Sequence, residues 1–214
     1  MRAIKHYWVF TNWQYKLFTL LLMPAAVLGM NLFGYFSNNM FVLGVAFSFF
    51  ILLLPMVDVM SDYWFLPGFY TKGNASLEFL QSTTKFQNMI QDVVIIDVIR
   101  RMALYLGLFW IMHLVSMGTS VEGVIDRFSY MPVAELLFAQ VAVFVSRFLR
   151  GWNQVYACAM FAVAANAFLM SGTIHQSDSI RQGIEVLFAV LAVAMIVLTV
   201  WFSLKKVRDS YYDK

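Results

Sequence analysis

The chain has 214 residues, of which 61% are apolar and only 13% charged, and its mean hydropathy is +0.72. That balance leaves too little polar side chain to cover a soluble domain of this size, so a soluble globular fold is excluded. The net charge of +3 does not point to nucleic acid, because the Lys and Arg residues stand beside apolar runs, where they orient a membrane chain.

In chain order, the first 18 residues interleave Tyr7, Trp8, Phe10, Trp13, Tyr15 and Phe18 with Arg2, Lys5, His6 and Lys16. This composition fits an interfacial amphipathic helix or an aromatic belt flanking a first span. No short apolar core followed by a small-residue cleavage site is present, so the first span itself is expected to direct insertion. Six apolar segments follow, at about 17–36, 40–60, 102–118, 132–149, 155–172 and 183–204. Runs such as Phe41 to Val57 and Val186 to Phe202 are apolar at almost every position, whereas a barrel strand would alternate. The expectation is an all-α, polytopic membrane protein of six spans, with 1–214 forming a single transmembrane domain.

Charge placement orients it. With the amino terminus inside, 13 of the 15 Lys and Arg residues fall on inside pieces, and only Arg127 and Arg181 fall outside. Both termini are therefore expected in the cytoplasm. The outside loops are short, and the longest hydrophilic piece is the inside segment 61–101. Within it, Pro67-Gly68 and Lys72-Gly73-Asn74 are turn chemistry, and Asn74 or Ser76 can cap a short helix over Leu77 to Gln81. Thr84-Lys85-Phe86-Gln87 has capping-box spacing. Phe86, Ile90, Val93, Val94 and Asp97 then recur at helical spacing up to Arg100-Arg101, which predicts one long helix entering the membrane after a surface-lying stretch.

Inside the spans, Ala25 and Gly29 form one small-residue stripe, and Cys158, Ala162 and Asn166 form another; both are expected to let helices approach closely, within the chain or across a dimer. Pro24 and Pro55 are expected to bend their helices. Ionisable groups in lipid suggest function, which singles out Asp58 near the inner end of the second segment, His113 in mid-span, and Glu135 and Glu185 near outer ends. These four and Asn166 are the candidate pathway residues, with a structural role as the plainer alternative: solvated or hydrogen-bonded carboxylates and a satisfied imidazole.

Enzyme signatures are absent: there is no Gly-x-Ser-x-Gly elbow, no His-Glu-x-x-His helix, no paired-Cys motif and no Walker-type phosphate loop. The lone Cys158 can form neither an intrachain disulfide nor a cysteine-rich metal site. No catalytic, metal or cofactor-binding residues are assigned.

The run Lys72-Gly73-Asn74-Ala75-Ser76-Leu77-Glu78-Phe79-Leu80-Gln81-Ser82-Thr83 resembles the Gly-(Ser/Thr)-Leu-Glu-x-Leu-x-(Ser/Thr) run between spans two and three of type-2 ABC exporter permeases. The resemblance covers order and topology over most of the chain and residues only over about 72–87. The chain departs from the pattern by the insertion of Asn74 and Ala75, by Thr84 where a Pro is usual, and by a short last outer loop.

The resemblance implies a six-span permease in a bacterial cytoplasmic membrane, with an interfacial amino-terminal helix and a coupling helix formed by Ser76, Leu77, Glu78, Phe79, Leu80 and Gln81. It implies as partners cytoplasmic ABC ATPase subunits that bring ATP and Mg, a second permease copy or paralogue, and membrane lipid, with export of an amphipathic peptide or lipid-like cargo. The rival expectation is a membrane enzyme acting on lipid through His113 and the buried carboxylates, or an assembly scaffold.

Overall fold

The computed structural model describes residues 2–37, 39–65, 86–117, 122–127, 129–147, 152–173 and 178–209. The described residues are helical almost throughout: α1 (Arg2–Phe10), α2 (Trp13–Phe36), α3 (40–65), α4 (Phe86–Ser116), α5 (Glu122–Arg127), α6 (Met131–Ser146), α7 (Trp152–Thr173) and α8 (Asp178–Asp209). Three helices are long and apolar enough to cross a membrane by themselves: Trp13–Phe36, Phe41–Asp62 and Gln182–Lys205. Met131–Ser146 and Asn153–Leu169 are shorter apolar helices. The candidate coupling helix Ser76 to Gln81, and most of the run that carries the resemblance, lie outside the described residues.

Short polar side chains set the breaks. The Thr11 hydroxyl donates to Tyr7 O (2.9 Å) at the end of α1, and Asn12 Oδ1 accepts from Gln14 N (3.4 Å) to open α2. Between α2 and α3, Ser37 Oγ donates to Phe33 O (2.7 Å), and Asn39 Oδ1 accepts from Phe41 N (3.0 Å) and Val42 N (3.4 Å). Orphan groups at both helix ends are thus satisfied in three residues, which turns the chain back on itself. A Cβ at Gly34 would lie 2.8 Å from the Leu43 side chain, so a larger residue there would force Leu43 to shift.

Both prolines produce a distinct distortion. Turns over Lys16–Leu22 and Phe49–Leu53 are of the wide π type, with Met23 N donating to Phe18 O and Leu54 N to Phe49 O, five residues back. Each wide turn ends two residues before a proline, Pro24 or Pro55. A proline ring collides with the carbonyl four residues back, and widening the preceding turn moves that carbonyl aside. The expected bends are therefore π-type irregularities in α2 and α3.

The long helix predicted before and through the third apolar segment is observed: α4 runs unbroken for 31 residues, about 46 Å at helical rise. Its Phe86, Ile90, Val93 and Val94 are buried with Tyr7, Tyr15 and Val155 in a cluster joining α1, α2, α4 and α7. Along α6, eleven residues from Met131 to Ser146 are buried, so it is the central helix, packed by α3, α4, α7 and α8. The outer faces are apolar, as Val186, Val190, Val193, Val197 and Trp201 of α8 show. Apolar side chains outside and charges within is the arrangement a bilayer requires.

The two small-residue stripes behave differently. Ala162 and Asn166 are buried against α3, with Asn166 Nδ2 donating to Ile51 O (3.4 Å), so this stripe serves packing within the chain. Ala25 and Gly29 face outward, and a Cβ at Gly29 would meet nothing within 4 Å.

Candidate functional site

Three carboxylates and three guanidiniums converge on one buried cluster. Four-residue spacing puts Asp58 and Asp62 on one face of α3, and Asp97 and Arg101 on one face of α4; Arg100 is next in chain, and Arg147 follows the last residue of α6. All but Arg100 are at most 2% exposed, and the Arg100 side chain is 8% exposed.

The pairing is dense. Asp58 Oδ1 accepts from Arg100 Nη2 (2.5 Å), while its Oδ2 accepts from Arg101 Nε (3.0 Å) and Tyr105 Oη (3.2 Å). Asp62 Oδ1 accepts from Arg101 Nη2 (2.7 Å) and Arg147 Nη2 (2.8 Å), and its Oδ2 from Arg147 Nε (3.0 Å). On Asp97, Oδ1 accepts from Tyr15 Oη (2.9 Å) and Arg100 Nη2 (3.2 Å), and Oδ2 from Arg147 Nη2 (3.0 Å), with Arg101 Nη1 paired at 2.8 Å. Arg147 Nη1 donates to Ser203 Oγ (2.9 Å), which brings in α8. Beside the cluster, Thr19 Oγ1 donates to Ser61 Oγ (2.7 Å), and Ser61 Oγ to Asp58 O (2.9 Å).

The formal charges cancel, three against three. Burying this many ions is costly unless each is paired and hydrogen-bonded, and removing one partner is then far more damaging than removing a pair. Fork-shaped guanidiniums suit the task because each spans two or three carboxylates at fixed geometry. Arg100 is the least satisfied, with buried Nε and Nη1 lacking partners while its guanidinium carbon lies 5.3 Å from the Tyr15 ring centroid. The cluster therefore joins α2, α3, α4, α6 and α8 by bonds that cannot shift singly without stranding a charge. Chemically it is a latch.

A hydrogen-bond relay extends the latch to α1. Tyr7 Oη donates to Tyr15 Oη (2.8 Å), which donates to Asp97. Burial pushes the Tyr7 phenol well above the usual tyrosine range, so it remains a donor. His6 Nδ1 lies 2.8 Å from Asp92 Oδ2, a second tie between α1 and α4.

Of the residues singled out by sequence, only Asp58 belongs to this cluster. His113 sits in the last turn of α4, part-exposed, with Nδ1 3.3 Å from Asp126 Oδ1 of α5. Its helix ends at Ser116, and a partly solvated Asp126 lies beside it. Glu135 is fully buried in α6, and neither carboxyl oxygen has a hydrogen-bond partner among the described residues. Gln140, one turn and a half along the same helix, is equally buried with both amide atoms unpartnered. Glu185 is half-buried on α8 and apart from the charge cluster. Asn166 packs against α3, as described above.

Asp62, Asp97, Arg100, Arg101 and Arg147 were not singled out as site residues by sequence. The cations read as flanks of apolar spans that orient the chain, and the spacing of four that Asp58–Asp62 and Asp97–Arg101 share was the available signal. No family model, no curated protein and no solved structure matches the chain.

Proposed function

We propose that the chain is the transmembrane subunit of an ATP-driven exporter of the type-2 ABC class, with six spans and both termini in the bacterial cytoplasm. Two such subunits, or one and a paralogue, work with two ATPase subunits that bind ATP and Mg. The chain itself catalyses nothing in this reading, and its cargo is an amphipathic peptide or lipid-like molecule.

The observation that carries the reading is the position of the latch. The segment 66–85, with its Leu77-Glu78-Phe79-Leu80 run, is strung between α3 and α4, and Asp58 and Asp62 bind Arg100 and Arg101 across those two helices. A push on the segment therefore moves α3 and α4 together, and Arg147 passes the displacement to the central α6. Leu77, Phe79 and Leu80 supply apolar anchors for a partner groove, and Glu78 supplies orientation.

The test is purification of the tagged chain from its native membrane, with Glu78→Lys and Phe79→Gly variants in parallel. A Walker-motif ATPase should accompany the wild type and be lost from both variants while membrane insertion is retained. A chain that arrives without an ATPase, wild type and variants alike, would sink the exporter reading.

A further inference from the structure

Among the described residues, no helix covers the outward face of α1. Arg2, Ile4, Lys5, Trp8 and Val9 are all exposed, with Val9 at 76%, and they fall on one continuous arc of the helix. Ala3, His6, Tyr7 and Phe10 occupy the opposite arc, where Tyr7 is buried and Phe10 stacks edge-on against Phe86. Lys16, at the start of α2, places its Nζ 4.5 Å from the Trp8 ring centroid and so adds a third cation to the exposed arc.

Two observations select the occupant of this face. It is mixed, with cations set among large apolar groups, and it carries no carboxylate. It also runs directly into the apolar exterior of α2, through Trp13 (65% exposed), Phe18 and Leu21. Cations and tryptophans at the edge of an apolar belt match a bilayer surface bearing negative headgroups.

The opposite face explains what such binding would do. Tyr7 reaches Asp97 through Tyr15, and His6 meets Asp92, so α1 is held to α4 at the very carboxylate that binds Arg100, Arg101 and Arg147.

We infer that α1 is a sensor of anionic phospholipid: headgroups gathered by Arg2, Lys5 and Lys16 hold the helix down, and the Tyr7–Tyr15–Asp97 relay transmits that state to the buried charge cluster. The inference goes beyond export and requires no ATPase partner.

The experiment uses the full chain alone in phosphatidylcholine nanodiscs with an increasing fraction of phosphatidylglycerol, read by amide hydrogen exchange. Phosphatidylglycerol should slow exchange several-fold both in α1 and in the 86–101 part of α4, and added salt should reverse the effect. Neutralising the arc with Arg2→Gln, Lys5→Gln and Lys16→Gln, all on partly or fully exposed side chains, should abolish both responses. Tyr15→Phe retains the ring and removes the hydroxyl, so it should keep the response in α1 and lose it in α4.

Equal exchange in the two lipids, or an undiminished response in the neutralised chain, overturns the inference. Protection of α1 that appears only with a co-purifying protein overturns it too, by assigning the face to that protein. An α4 response that survives Tyr15→Phe overturns the relay. Loss of the ATPase in the purification test leaves all these outcomes unchanged.

Discussion

Asp62 accepts from two guanidiniums, Arg101 on α4 and Arg147 just after α6, and is 1% exposed. Asp62→Asn should therefore cost about 3–5 kcal/mol, because Arg147 and Arg101 lose a countercharge in a buried site. Thermal unfolding in detergent should show a clear drop in Tm. The double variant Asp62→Leu with Arg147→Met removes one charge of each sign and leaves Asp58, Asp97, Arg100 and Arg101 balanced. Its Tm is expected to lie above that of Asp62→Asn; a double variant less stable than the single would show that neutrality is not what holds the cluster.

Glu135 presents the opposite case at the same scale. Its buried carboxyl has no hydrogen-bond partner among the described residues, and buried polar groups without partners cost about 1–3 kcal/mol. Glu135→Leu should raise Tm, and an unchanged or lower Tm would reveal a stabilising contact at that side chain. Gln140 gives the same expectation at its own site.

The helices themselves show how a few residues set the geometry of an element. Pro24 and Pro55 are visible in any reading of the sequence as places where a helix is disturbed. The form of the disturbance, a widened turn ending two residues upstream, follows from the collision of the ring with the previous turn inside a helix that neighbours keep from breaking.

Glycine is informative in the same way. Gly29 looked like a contact residue from its spacing with Ala25, but Gly34 is the one that carries the close approach. Gly34→Ala is expected to lower Tm, since its Cβ would lie 2.8 Å from Leu43, whereas Gly29→Ala, in open space, should leave it unchanged. The contrast between the two melting curves checks whether the α2–α3 hairpin is closed as described.

For the molecule as a whole, both the exterior and most of the core are apolar, and one cluster of ions is held inside. Much of this was legible in the chain: helical class, the break at Ser37 to Asn39, the long run beginning near Phe86, and the apolar segments that became α2, α3, α6, α7 and α8. These follow from local causes, namely apolar run length, short polar caps and helical periodicity.

The candidate site was legible in only one member, Asp58. Reading Arg100, Arg101 and Arg147 as flanks of apolar spans contributed them to the 13 inside cations, yet Arg101 and Arg147 are buried and the Arg100 side chain is only 8% exposed. Without them ten cations remain on the inside pieces against two outside, so the charge asymmetry persists.

Composition and run length alone determined that this chain is helical and meant for lipid, because the cost of an unpaired backbone in a bilayer leaves few other options. What only the tertiary structure decided is which charges meet. Asp62 and Arg147 stand 85 positions apart, and Asp58 and Arg101 stand 43 apart. No local periodicity encodes such pairs. Their union depends on how α3, α4 and α6 pack, and once those helices pack, each buried ion must find its countercharge or be expelled.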